Sequence, residues 1–259
     1  MNAIKYVFLL LTFFTYSQED ISVRLIEKTK LEADKLVHID NFDSKYFIKN
    51  NVLYLNKSND IFEYNNFQLG DITSVSAYNP LKINLFYKDF NTVIILDNRL
   101  AEISKQDFNT TNSYKYVTHV TSGNDNTIWI FNQNLMQLEL YDYINKKSRV
   151  TTLPISEKVL DITSNYNFCW LLTTDNIYTY NYFGSNTSKI ENDGYKKIKE
   201  LKGDLYLQKE NSLYVKRKNT DQIQEIELPQ LLIKQFFVTN ETLYIYDGET
   251  LHQYQLLNN

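Results

Sequence analysis

The sequence predicts an all-β chain, a β-propeller of about six four-stranded blades closed by its N-terminal strand, and three observations carry that prediction. Aromatic and β-branched residues are abundant, with 21 Tyr and 15 Phe in 259 residues, and these suit half-buried pleated surfaces. A short unit recurs at intervals close to the roughly 40 residues of a propeller blade. The chain ends partway through its last unit, while a strand-like run near the N-terminus has no hairpin of its own.

The unit is apolar, aromatic, apolar, any residue. It reads LYLN at Leu53, LFYK at Leu85, IWIF at Ile128, CWLL at Cys169, LYLQ at Leu205 and LYIY at Leu243. The aromatics are Tyr54, Phe86, Trp129, Trp170, Tyr206 and Tyr244, spaced by 32, 43, 41, 36 and 38 residues. After each comes a polar turn and a second alternating run, beginning at Ile61, Val93, Leu138, Ile177, Leu213 and Leu251. Alternation across a short Asn/Asp/Gly turn is a hairpin signal. Tyr64, Leu96, Tyr180 and Tyr254 each lie ten residues after an anchor aromatic, a constant hairpin register. Segments before the anchors read as a further strand, and RVTTLP (from Arg149) and EIELP (from Glu225) read as third strands closed by Pro. Trp129 and Trp170 fall on the anchor position and are predicted to be core residues.

Ile21–Ile26, ISVRLI, is the strand without a hairpin, and closure of the ring by this strand completes the last blade. Ile21 and Val23 are expected to face inward, with Ile26 near the strand end. Glu27–Leu36 reads as a linker of one or two helical turns. Seven blades is the alternative, if Ser22–Asn50 holds a degenerate repeat; a β-sandwich would show fewer, less periodic hairpins.

Residues 1–17 read as a signal peptide, leaving 18–259 as a single propeller domain. Lys5 supplies the basic region, Tyr6–Tyr16 the apolar run, and Thr15 and Ser17 the small residues before a cleavage site. The cleavage point has no Cys, and no later segment has eighteen consecutive apolar residues. The expected destination is the periplasm, the outer membrane's surface or the extracellular space, with no membrane span in the mature chain.

The net charge of −4 and pI near 5.5 argue against a nucleic-acid surface, which needs clustered Lys and Arg. One Cys, Cys169, excludes an internal disulfide framework. His38, His119 and His252 are far apart in sequence, and HExxH, CxxC and EF-hand patterns are missing, so no metal site is expected. His119 falls in an inner strand and His252 in a second-strand position, which places them at different radii. There is no G-x-S-x-G and no glycine-rich phosphate loop, and the four arginines do not read as a sialidase-type three-arginine clamp. The reading is therefore no catalytic residue, no cofactor, and a protein-binding or scaffolding module. Tyr166, Tyr182 and Phe183 lie at predicted loops and are the candidate partner-binding residues, since large aromatics at loop tips favour interfaces. The alternative is a secreted carbohydrate-active propeller enzyme or a glycan-binding module.

NDNTIWIFNQNLMQLELYD (Asn124–Asp142) resembles the repeat of the two-component-regulator and PQQ-like propellers: Asp or Asn, Gly, apolar, Trp, apolar, a turn, then apolar and Tyr-Asp. Trp129, Tyr141 and Asp142 match, and Asn126 stands where the repeat has Gly. The fourth unit, Asn167–Tyr180, matches through Trp170. By compartment and repeat style the chain also resembles the periplasmic propeller subunit of the outer-membrane barrel assembly machinery, although that subunit is a lipoprotein. These resemblances imply a fold, and a fold does not fix a function.

Overall fold

The computed structural model describes residues 21–40, 42–57, 60–111, 113–240 and 242–258. The segment read as a signal peptide lies outside them. β1 (Ile21–Lys30) opens the described chain. Blade one is β2 (Lys35–Ile39), β3 (Lys45–Lys49), β4 (Val52–Lys57) and β5 (Asp60–Tyr64). Blade two is β6 (Ser74–Ser76), β7 (Ile83–Tyr87), β8 (Thr92–Leu96) and β9 (Glu102–Asp107). Blade three is β10 (Val117–Ser122), β11 (Thr127–Asn132), β12 (Gln137–Asp142) and β13 (Lys147–Thr151). Blade four is β14 (Val159–Ser164), β15 (Phe168–Thr173), β16 (Asn176–Asn181) and β17 (Asn186–Glu191). Blade five is β18 (Lys197–Leu201), β19 (Asp204–Lys209), β20 (Ser212–Lys216) and β21 (Ile223–Glu227). Blade six joins β22 (Gln235–Thr239), β23 (Thr242–Tyr246) and β24 (Thr250–Asn258) to β1. The first strands β2, β6, β10, β14, β18 and β22 contact one another in sequence and close back on β2, so they line the ring axis.

Burial explains the strand composition. In blades two and three the two middle strands are buried along their length or nearly so, for example INLFY, TVIIL and TIWIFN. They read as continuous apolar runs because both faces pack against neighbouring blades. The fourth strands alternate or are exposed, as in KSRVT and NTSKIE. The buried apolar residues form six clusters, one at each blade interface. Trp129, 2% exposed, packs with Cys169, Leu171 and Tyr180 between blades three and four. Trp170 does the same between blades four and five.

The ring closes as the sequence indicates, with β1 as the fourth strand of blade six. It pairs antiparallel with β24 from Ile21↔Asn258 to Lys30↔Thr250 and parallel with β21 at Ile21↔Ile226. Ile21 is buried, Val23 is half-buried, and Ile26 occupies a bulge with its side chain exposed.

Three readings need correction. Glu27–Leu36 forms no helix: Glu27 to Lys30 continue β1, and β2 starts at Lys35, because the free edge of β24 offers Gln253 to Thr250 as ladder partners. Ser22–Asn50 supplies β1 and the first two strands of blade one, not a seventh blade. The first anchor is displaced by one strand. LYLN lies on β4, a third strand, whereas the other five anchors lie on second strands β7, β11, β15, β19 and β23. The second strand of blade one carries Tyr46 and Phe47, which restores a spacing near 40 to Phe86. In a meander every hairpin alternates across a polar turn, so alternation alone does not distinguish the first hairpin from the second. The runs after the other five anchors are third strands, and RVT and EIE are parts of fourth strands.

Candidate functional site

An antiparallel meander divides its loops between two faces. The turns between second and third strands and the links between blades lie on one, here the interblade face. The first-to-second and third-to-fourth turns lie on the other, the hairpin face. Each inner strand runs from the interblade to the hairpin face.

The inner strands enclose an axial cavity of about 460 Å3. Its lining changes along the axis. At the interblade end stand Lys35 and Lys197, which begin β2 and β18, Lys234 just before β22, and Lys88 in the turn after β7. Lys199 lies two residues further in, with its ammonium 5.1 Å from the Phe237 ring centroid. Asp161 on β14 faces the same space, but its carboxylate is engaged by backbone: Oδ2 accepts from Ile198 N and Oδ1 from Ile162 N, each at 3.0 Å. Toward the hairpin face the lining becomes hydroxylic. Ser76 Oγ lies 3.0 Å from Ser122 Oγ, and Thr121 Oγ1 lies 3.0 Å from Ser164 Oγ, which ties blades two, three and four together.

His38 and His119, on β2 and β10, both line this cavity. Burial pushes both imidazoles down to about 4, and Lys199 adds to this at His38. At His119 Asp161 opposes burial, while Lys88 and Lys197 act with it. Both rings are neutral at neutral pH. His252 lies on β24, with Nε2 2.7 Å from Asp247 Oδ2, away from the axis. The histidines are therefore not all scattered, since the topology brings two of the three together. Among the described residues no three His, Cys, Asp or Glu side chains are grouped to hold a metal. Cys169 is buried, and burial pushes its thiol well up.

Tyr166, Tyr182 and Phe183 all lie on the hairpin face of blade four, 54%, 37% and 67% exposed. Asn165 Oδ1 accepts from the backbone of Asn167 and Phe168 at 2.9 Å, an Asx turn that turns Tyr166 outward. Tyr166 OH donates to Asp125 Oδ1 at 3.1 Å, and its backbone N donates to Tyr78 OH at 3.4 Å. The Tyr182 and Phe183 rings lie 4.1 Å apart between centroids. Their turn leans on blade three: Gly184 has φ +80°, and a Cβ there would collide with Val150 Cγ1, so only glycine suits the position. Sequence reasoning missed exposed Tyr78, Leu81 and Ile144 on the same face. Asn79-Pro80 beside Tyr78 was the available turn signal. The interblade face also carries exposed apolar residues, including Phe90, Tyr114, Leu135 and Leu153.

No protein-family model and no curated protein sequence matches the chain. Solved structures do. A catalytically inactive virginiamycin B lyase from Staphylococcus aureus with quinupristin superposes with TM-score 0.62 at 13% identity, over 93% of this chain and 97% of that one. A streptogramin B lyase gives 0.59 at 14% identity, over 86% and 78%. The Neurospora crassa Pan2 WD40 domain gives 0.57 at 10% identity, over 88% and 76%. At such identities the likeness establishes the fold, a β-propeller.

Proposed function

We propose that this propeller is a non-enzymatic module that docks a protein partner through the hairpin face of blades two to four, after export from the cytoplasm. One observation carries the reading. Tyr78, Tyr166, Tyr182 and Phe183 are exposed aromatics on this one face, and two of them touch across blades: the Tyr166 backbone N of blade four donates to Tyr78 OH of blade two, and Tyr166 OH donates to Asp125 of blade three. Tyr and Phe held by their own backbone turns bury large area on docking at little entropic cost, which is the character of interface anchors. Export rests on the N-terminal basic and apolar segment, and a repeat of the two-component-regulator and PQQ-like type is supported by the motif likeness at Trp129, Tyr141 and Asp142. Periplasmic residence with association at the outer membrane fits that segment.

The test is site-specific photocrosslinking in the native host, with a benzophenone side chain replacing Tyr166 or Phe183, and Tyr114 or Leu153 on the opposite face. The expected result is one discrete protein adduct from positions 166 and 183 and none from 114 and 153. Adducts only from positions 114 and 153, or from none of the four, would overturn the assignment.

A further inference from the structure

The axial cavity has a charge imbalance that neither the fold nor the aromatic face requires. Five lysines line it, Lys35, Lys88, Lys197, Lys199 and Lys234, in a chain whose net charge is −4; Lys35 Nζ donates to the Thr73 carbonyl at 3.0 Å, and Lys234 Nζ lies beside Gly248. Against them stand two carboxylates. Asp161 accepts from the amides of Ile162 and Ile198 and also attracts Lys35 and Lys199, which leaves the lysines in excess. Glu200 is held at the hairpin end by Asn165 Nδ2 at 2.8 Å and Gly203 N at 2.7 Å. Among the described residues none of the five lysines forms an ion pair within 4 Å. Elsewhere a buried carboxylate has its own cation, as in Glu139 with Lys115 and Asp142 with Arg149. The channel lysines also repel one another. Burial lowers the Lys35 and Lys199 ammonium groups below the usual lysine range, and Lys197 adds repulsion to both.

Gathering unpaired like charges in a cavity is costly unless something compensates them. A concave site lined by one sign of charge focuses its field on the space within. The volume, about 460 Å3, lies in the range of small-molecule pockets. Polar donors accompany the cations: the hydroxyls of Ser76, Thr121 and Ser164, and the two neutral imidazoles. Phe236 and Val238 supply apolar wall.

We infer that the axial cavity binds a small organic anion with two or more carboxylate or phosphate groups, entering from the interblade face and held by Lys35, Lys197 and Lys199. This site is on the axis and does not depend on the exposed aromatics of the hairpin face.

The experiment is isothermal titration calorimetry of the full chain with citrate and, separately, with inorganic pyrophosphate, in 0.15 M NaCl at pH 7.5. The variants are Lys199→Met, Lys35→Met and, as an exposed control outside the cavity, Lys147→Gln. Binding of either probe is expected, with the tighter of the two identifying the oxyanion preferred. Loss of one charge-assisted contact should weaken it about tenfold in Lys199→Met and in Lys35→Met, while Lys147→Gln binds as the unmodified chain does. Thermal melting guards against misfolding. Without ligand the two Met variants should stay folded and melt within a few degrees of the unmodified chain, because each loses repulsion and also one contact, Lys35 with the Thr73 carbonyl and Lys199 with the Phe237 ring. With ligand the unmodified chain should gain more than they do. No heat from either probe, or equal affinity in Lys199→Met and the unmodified chain, would overturn the inference.

Discussion

Removing β1 separates ring closure from mere proximity of the chain ends. Of its ten residues only Ile21 is buried, at 3% exposure, and Val23 is half-buried; both pack with Ile226 and Leu256 between blades five and six. Burying one large aliphatic side chain is worth about 1.5–3 kcal/mol, and a half-buried Val adds about 1. The ladder pairs nine residues of β1 with β24. Each such hydrogen bond is worth about 0.5–1.5 kcal/mol net. At this solvated rim the low end applies, and ordering a residue costs about 1–2 kcal/mol. The ladder and the entropy therefore roughly cancel, and the apolar term sets the net effect at about 2.5–4 kcal/mol. With a urea slope of about 2–3 kcal/mol/M, a chain beginning at Leu31 should unfold about 1–2 M earlier. It should also associate, because β24 then presents a free edge with Leu251, Tyr254 and Leu256 behind it. Urea titration followed by circular dichroism, with gel filtration, measures both, and a peptide of residues 21–30 added in trans should restore the midpoint. A truncated chain that stays monomeric and keeps its midpoint would refute the closure.

Two further perturbations bear on buried charge. Lys115→Met should cost about 3–5 kcal/mol in urea unfolding, because Glu139 is fully buried and Lys115 Nζ, 2.7 Å from its Oε2, is its counter-charge; adding Glu139→Gln should recover most of the loss, since Asn132 and Ser148 remain to hydrogen-bond the amide. Burial holds His38 and His119 at about 4, below the ordinary value near 6.5, so the unfolded chain binds their protons first and stability, complete above pH of about 6.5, falls as pH drops through 4. Urea midpoints from pH 7 to 4 should drop less in the His38→Gln/His119→Gln chain than in the unmodified one, and identical pH profiles would contradict the placement of these rings.

The blade count and the closure were legible because they depend on composition and spacing. Blades two to six each carry a largely buried second strand with a large aromatic, and burial on both faces leaves mostly apolar residues there. Blade one was misread by a strand because it blurs that contrast. Its second strand, KYFIK, alternates, and its third, LYLN, carries the same apolar-aromatic-apolar motif. Glu27–Lys30 looked helical because their side chains are exposed and charged, and an exposed outer strand carries no apolar period to betray it. Its pairing is decided by β24, more than two hundred residues away.

The axial cavity was illegible for a different reason. Its lysines come from Lys35, Lys88, Lys197, Lys199 and Lys234, spread over four blades and their links, and none is part of a local motif. What they share is a position toward the interblade face, four of them at or near the start of an inner strand and Lys88 in the turn after β7, and that placement follows only once the strand order is assigned. The same holds for His38 and His119. Separated by 81 residues, they appear unrelated in sequence, yet each sits mid-strand on an inner strand, β2 and β10. Net charge misleads here as well. A value of −4 argues against a basic surface, but it averages over the whole chain, whereas a ligand in the channel meets only the inner strands. A propeller repeats its backbone six times and gathers six different inner strands at one axis, so chemistry there is written across repeats while the fold is written within them.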